Sequence, residues 1–114
     1  MSDCIFCRIV AGEIPADTVY EDDEILAFRD LEPQAPHHIL IIPKRHVGTL
    51  NDFATEDAPL IGRLVLTAQH LAKEFGFADA GYRLNWNANA DGGQTVFHVH
   101  LHLLAGRRFT WPPG

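Results

Sequence analysis

Residues 98–104 read His-Val-His-Leu-His-Leu-Leu, and this alternation most narrowly limits what the chain can build. Period two is the mark of a β-strand with two unlike faces. Phe97, Val99, Leu101 and Leu103 then point into a core. His98, His100 and His102 share the other face, with neighbours roughly 6–7 Å apart. A solvated face ordinarily carries Lys, Glu, Thr or Ser, so three imidazoles leave three readings. One is a surface strand with incidental histidines. A second is a metal site, because His-x-His on a strand presents two nitrogens to one zinc. The third is nucleophilic catalysis, since a neutral imidazole attacks phosphorus near pH 7 and leaves again, splitting a displacement into two steps. The preceding turn, Asp91-Gly92-Gly93-Gln94-Thr95, favours the third. Such a turn exposes consecutive backbone N–H groups, and Thr95 adds a hydroxyl, a set suited to phosphate.

The rest of the chain reads as a frame for that strand. Residues 2–12 predict a short helix, with Ser2 or Asp3 as N-cap, Ile5, Phe6, Ile9 and Val10 apolar, and Gly12 as its stop. Residues 18–21 and 25–30 are two strands around the polar turn Asp22-Asp23-Glu24. Residues 32–36 form a loop fixed by two prolines, with His37 in that loop, and residues 38–43 a buried strand ended by Pro43. The spacing of Leu60, Ile61, Leu64, Val65, Ala68, Leu71, Ala72 and Phe75 predicts one long helix over 57–75, ended by Gly76. Residues 82–87 are a strand, and the Pro-rich tail 107–114 is irregular. Short turns between strands favour antiparallel pairing, giving an α+β class with about five strands, one long helix and one short helix. The long helix covers the apolar face of the sheet and leaves the histidine face open.

A chain of 114 residues, 46% apolar and 21% charged, makes a single domain over 1–114. Its net charge of −6 excludes the broad basic face that nucleic acid requires. It leaves room for a small anion held by local N–H groups or imidazoles. No apolar run is long enough to span a membrane. The N-terminus lacks the pattern of a secretory signal, so the expected location is cytoplasmic. In that compartment the two cysteines, Cys4 and Cys7, stay reduced. Their C-x-x-C spacing leaves three readings: helical cysteines without a role, a redox pair acidified by a helix N-terminus, or half of a zinc site that needs two more ligands.

The motif His98–Leu104, with residues 4–16, 19–47 and 91–107 and the terminal Trp-Pro-Pro-Gly, resembles the histidine-triad (HIT) family, in its HINT nucleotide-binding branch. The resemblance runs over nearly the whole chain. It implies a HIT-like fold whose sheet extends across a homodimer. It implies hydrolysis of purine nucleoside phosphoramidates and aminoacyl adenylates through a nucleotidyl-histidine intermediate. By the same resemblance His100 is the nucleophile, His102 contacts the phosphate and His38 supports the triad. Asn87, Gly93, Gln94 and Thr95 stand on the phosphate side, Thr95 where the family often has serine. Ile5, Phe6, Ile9, Phe28 and Leu31 form the purine pocket, Asp30 meets the ribose, and Trp111 lies near the partner subunit's site. Some relatives complete a zinc site at positions matching His46 and His98, which would join Cys4 and Cys7 as ligands. That zinc is structural, and the chemistry itself requires no cofactor.

The partners so implied are purine mononucleotide conjugates and a second copy of the chain, with no nucleic acid and no membrane. Two other functions belong beside the phosphoramidase. One is a nucleotide- or zinc-binding regulatory module with little catalysis. The other is a dinucleoside polyphosphate hydrolase of a sister branch, against which the Trp-Pro-Pro-Gly ending argues. His70, in the long helix, reads as solvated, Lys44 and Arg45 as a solvated strand end, and Trp86 as core or interface packing. Trp111, an aromatic in an irregular tail, requires a surface to pack on.

Overall fold

Two runs without polar alternation, Ile25–Arg29 (β2) and His37–Pro43 (β3), form the centre of the fold, buried along almost their whole length. A strand buried on both faces needs a cover on each side. The structure, a computed structural model that describes residues 3–114, supplies both. Thr18–Glu21 (β1), Tyr82–Asn85 (β4) and Leu101–Ala105 (β5) complete an antiparallel sheet in the order β1-β2-β3-β5-β4.

One face meets the long helix Ala58–Glu74 (α2). Leu60, Leu64, Ala68, Leu71 and Ala72 pack on Ile25, Ala27, Ile39, Ile41, Leu101 and Leu103. A Leu buried as fully as Leu64 or Leu71 contributes about 1.5–3 kcal/mol. The helix ends at Gly76, whose φ of +81° lies where side chains with a Cβ are strained. On the opposite face Leu26, Phe28, Leu40 and Ile42 pack on Phe6 of the short helix Ile5–Val10 (α1). Among the described residues no helix is long and apolar enough to cross a membrane.

The α+β architecture expected from the sequence is the one observed, with several local differences. Helix α1 is capped by Cys4, whose Sγ accepts the Cys7 N–H at 3.3 Å. Asp3 is not the cap, and Ser2 lies outside the described residues. His37 opens β3, paired with Ala105, and its ring packs on Phe75 and Phe77. Strand β4 stops at Asn85, two residues early.

The largest difference concerns the histidine strand, which is regular only from Leu101. Ahead of it the Val99 N–H bonds to the Val47 carbonyl, beyond the end of β3. The Pro43 carbonyl is taken by the His98 ring rather than by a ladder N–H. Phe97, expected in the core, is therefore 52% exposed. Nor is the histidine face open: α1 covers it, and His98 and His100 are buried. Past β5 the chain turns at Gly106, with φ +97°, where a Cβ would stand 2.7 Å from the Pro36 ring.

Candidate active site: a cleft lined by histidines

Antiparallel register brings the polar groups of three strands to one end of the α1 face. Leu40 pairs with both Phe28 and His102, so His38 and His102 lie on neighbouring strands of the same face. Asp30, just past β2, donates its N–H to the His38 carbonyl. These residues and His100 line a cleft of about 580 Å³. Its apolar wall comes from Ile5, Phe6 and Ile9 of α1, from Phe28, Leu31 and Leu40, and from Ile14, Pro15, Ala16 and Val96. Leu31 is 94% exposed at the rim.

Hydrogen bonds to fixed backbone groups assign the ring tautomers. The Gln34 N–H can only donate, and it meets His38 Nδ1 at 3.0 Å. The neutral His38 ring therefore carries its proton on Nε2, which donates to His102 Nδ1 at 2.9 Å. Asp30 Oδ2, 3.6 Å from His38 Nε2, favours that proton. His102 in turn is the Nε2–H tautomer. His100 Nδ1 faces the His98 carbonyl at 2.8 Å and must donate to it. Its Nε2 is then left with a lone pair on the cleft side. The Phe6 ring stands edge-on to His100, with centroids 5.1 Å apart. Burial is the largest cause holding the His38, His98 and His100 rings below the usual imidazole range, and it holds His102 down to about 4. Charge on neighbouring histidines acts on His102 in the same direction. All four rings are thus neutral near pH 7, the state in which imidazole is nucleophilic.

The turn before the histidines behaves differently from its sequence reading. Two of its N–H groups are used inside it, Gly93 to the Ala90 carbonyl and Gln94 to the Asn89 carbonyl, each at 3.0 Å. A loop this tight closes on itself before it can offer those donors to an anion. The buried Gln94 side chain is a strut, donating to the carbonyls of Gly48 and Val96 and accepting the Asn89 N–H. Asn87 accepts from the Asn85 side chain at 2.8 Å. Of the turn, Thr95 stands in the cleft wall; Asn87, Gly93 and Gln94 do not line it. Trp111 also stands apart from the cleft of its own chain and is 84% exposed.

A second cluster lies on the far side of α1. Ligand atoms of Cys4, Cys7, His46 and His98 all fall within 4.8 Å of one another. His98 Nδ1 is 3.3 Å from Cys4 Sγ and 3.5 Å from Cys7 Sγ, and His46 Nδ1 is 3.3 Å from Cys7 Sγ. Tetrahedral zinc with ordinary Zn–S and Zn–N bonds has S···N edges of about 3.5 Å. His98 Nε2 donates to the Pro43 carbonyl at 2.7 Å, so its Nδ1 keeps the lone pair a metal takes. Donor type, number, spacing and tautomer all fit such an ion.

Sequence reasoning missed the groups that set the tautomers, namely the Gln34 N–H and the carbonyls of Pro43 and His98. Every residue carries such groups, so no side-chain signal marks them. It also missed Leu40, Ile14 and Ala16 in the wall. The register of β3 with β2 was the available signal for Leu40.

Neutral buried histidines make stability depend on pH in a definite direction. The unfolded His102 protonates near 6.5 and the folded one near 4, so below about pH 6.5 the unfolded state binds more protons. Stability is therefore highest above that pH and falls progressively toward pH 4. Denaturant midpoints at pH 7, 6 and 5 should decline, and His102→Gln should flatten the decline. Equal slopes in the two proteins would contradict this reading of the His102 ring.

Comparison with known proteins agrees with this geometry. The HIT domain family model matches residues 11–109. The chain is 52% identical over 112 residues to an uncharacterized HIT-like protein of Synechococcus elongatus, covering 98% of this chain and 97% of that one. It is 50% identical over 103 residues to the purine nucleoside phosphoramidase of Escherichia coli K12, covering 90% and 87% of the two chains. Among solved structures, the HIT family hydrolase of Legionella pneumophila superposes with a TM-score of 0.96 at 54% identity, over 98% of this chain and all of that one. A histidine triad protein of Clostridium difficile gives 0.93 at 45%, over 96% of each chain. With the family model matched over residues 11–109 and relatives of 50% identity or more along nearly the whole chain, this chain belongs to the HIT family.

Proposed function

We propose that the protein is a hydrolase of purine nucleoside phosphoramidates and related AMP or GMP conjugates, acting through a covalent nucleotidyl adduct on His100. The observation that carries this reading is the bond from His100 Nδ1–H to the His98 carbonyl, which leaves Nε2 unprotonated inside the cleft. The likeness to the E. coli phosphoramidase supports the same reading.

In the first step the Nε2 lone pair attacks phosphorus, the P–N bond breaks, and the amine departs with a proton from solvent. In the second, water attacks the adduct and gives a proton to solvent, the P–Nε2 bond breaks, and AMP leaves with the Nε2 lone pair of His100 restored. His102, neutral and protonated on Nε2, is a hydrogen-bond donor to a phosphoryl oxygen rather than an acid, and the Thr95 hydroxyl is a second donor. Asp30 is the acceptor for ribose hydroxyls, and the wall of Ile5, Phe6, Ile9, Phe28 and Leu31 receives the base. Cys4, Cys7, His46 and His98 hold a structural zinc in this reading, which ties α1 to the sheet and takes no part in the displacement.

The working form is a homodimer. Strand β4 is an edge strand, and an unpaired edge beside apolar surface is a natural two-fold junction. Leu84 and Trp86 are only partly buried in one copy. The tail is held against that edge: Arg83 donates to the Thr110 carbonyl at 2.8 Å, and Arg83 and Arg107 both stack on Phe109. Trp111 is thereby presented to solvent, and in this reading it reaches the cleft of the second copy.

Rapid quenching of the wild type with an adenosine phosphoramidate should leave an AMP-sized mass on the peptide containing His100. His100→Ala should lose turnover by several orders of magnitude while remaining folded and binding AMP. Near-normal turnover by that variant would refute the mechanism. Light scattering at micromolar concentration should give twice the chain mass, and removal of residues 110–114 should alter the relative rates for different amine leaving groups. A monomer would refute the dimer, and unchanged relative rates would refute the role given to Trp111.

A further inference from the structure

Helix α1 has two functions that meet in six residues. Its Ile5, Phe6 and Ile9 line the cleft, and Cys4 and Cys7, at its start and within it, belong to the four-donor cluster. The four donors come from three separate segments: this helix, the loop after β3 (His46) and the stretch before β5 (His98). A six-residue helix has no stability of its own, because nucleation costs more than one or two turns return. The helical bonds that Arg8 and Ala11 donate, to the carbonyls of Cys4 and Cys7, are local. Phe6 is its buried residue, while Ile5 is 47% exposed. Beyond the apolar contacts of Phe6, Ile9 and Val10, what fixes α1 to the sheet is the approach of Cys4 and Cys7 to His46 and His98.

The catalytic rings are held differently. The His100, His102 and His38 bonds run to backbone groups and to one another, and none passes through α1. His98 keeps its Nε2 bond to Pro43 and its carbonyl bond to His100 whether or not its Nδ1 is ligated.

We infer that the Cys4–Cys7–His46–His98 centre sets the protein's affinity for nucleotide: a metal ion held there seats α1 as the base wall, and its loss withdraws the wall while leaving the reacting histidines in place. Cys4 and Cys7 are on this account positioning residues for substrate. The inference rests on the purine hydrolase reading and on zinc at the cluster, and it adds regulation of the site by metal supply. Because the coupling is a free energy between two sites, it is reciprocal: bound AMP tightens zinc by the factor by which zinc tightens AMP.

The test compares wild-type protein loaded with zinc and stripped by a chelator. Zinc per chain is measured, circular dichroism follows the fold, and calorimetry gives the AMP dissociation constant. The loaded protein should hold about one zinc per chain. Stripping should weaken AMP by about tenfold or more and raise KM for an adenosine phosphoramidate to match. The value of kcat at saturation should stay within the same order, and zinc should restore the affinity. Cys7→Ser should behave as the stripped protein does, and chelator competition with and without AMP should return the same factor. Equal AMP affinity in loaded and stripped folded protein would overturn the inference. So would loss of kcat rather than KM, unfolding of the whole chain on stripping, or no zinc on reduced protein. A zinc-loaded protein that binds no purine nucleotide would instead bring down the hydrolase reading, and this inference with it.

Discussion

One backbone carbonyl, that of His98, decides the state of the reactive imidazole. By accepting the His100 Nδ1 proton it forces the lone pair onto Nε2, and the short path of the chain between the two residues fixes where that nitrogen points. A carboxylate in the same place would raise the basicity of the ring and favour imidazolium. A neutral carbonyl in a buried setting orients the ring without charging it, while burial keeps it unprotonated. The rest of the fold serves this bond. The His98 ring must be held still for its carbonyl to be a fixed acceptor, and its Nε2 bond to Pro43 does that. Pro43 in turn is the end of a strand buried between two helices.

The two faces of the sheet therefore divide the work. The α2 face is mainly apolar packing and supplies rigidity. The α1 face combines a small apolar cluster with the polar chain from Gln34 through His38 to His102, which sets a second tautomer from a second backbone group. Both assignments begin at main-chain atoms, whose positions the sheet fixes more firmly than any surface side chain could. The covering helix, by contrast, is short and lightly held. A rigid reacting centre beneath an adjustable wall suits the proposed hydrolysis of conjugates that share a nucleotide and differ in what leaves.

The sequence was most informative where a side chain's character follows from its surroundings. The strand 38–43 read as buried because it is an unbroken apolar run, and α2 read as a helix because its Leu and Ala residues recur at 3.6. Asp30, His38 and His102 were picked from motif and chemistry, and the register brings them together. The reading failed ahead of Leu101. Alternation continues there on paper, but His98 uses the Pro43 carbonyl through its ring, and the ladder that would have enforced two faces is gone. The glycine turn carries a detail that composition does not reveal: the N–H groups of Gly93 and Gln94 are taken by the carbonyls of Ala90 and Asn89 just ahead of it. Phosphate-side residues inferred from the turn and the resemblance thus separate into Thr95, at the cleft, and Gln94, a strut.

The central claim is that His100 carries its proton on Nδ1 and a free lone pair on Nε2 before substrate arrives. Long-range nitrogen–proton correlation spectra of the histidine rings, recorded near pH 7 on nucleotide-free protein and assigned through single His→Gln variants, test it directly. The account predicts a pyridine-type Nε2 with a pyrrole-type Nδ1 for His100, and the reverse pattern for His38 and His102. A pyridine-type Nδ1 on His100, or an imidazolium signature at that pH, would contradict it.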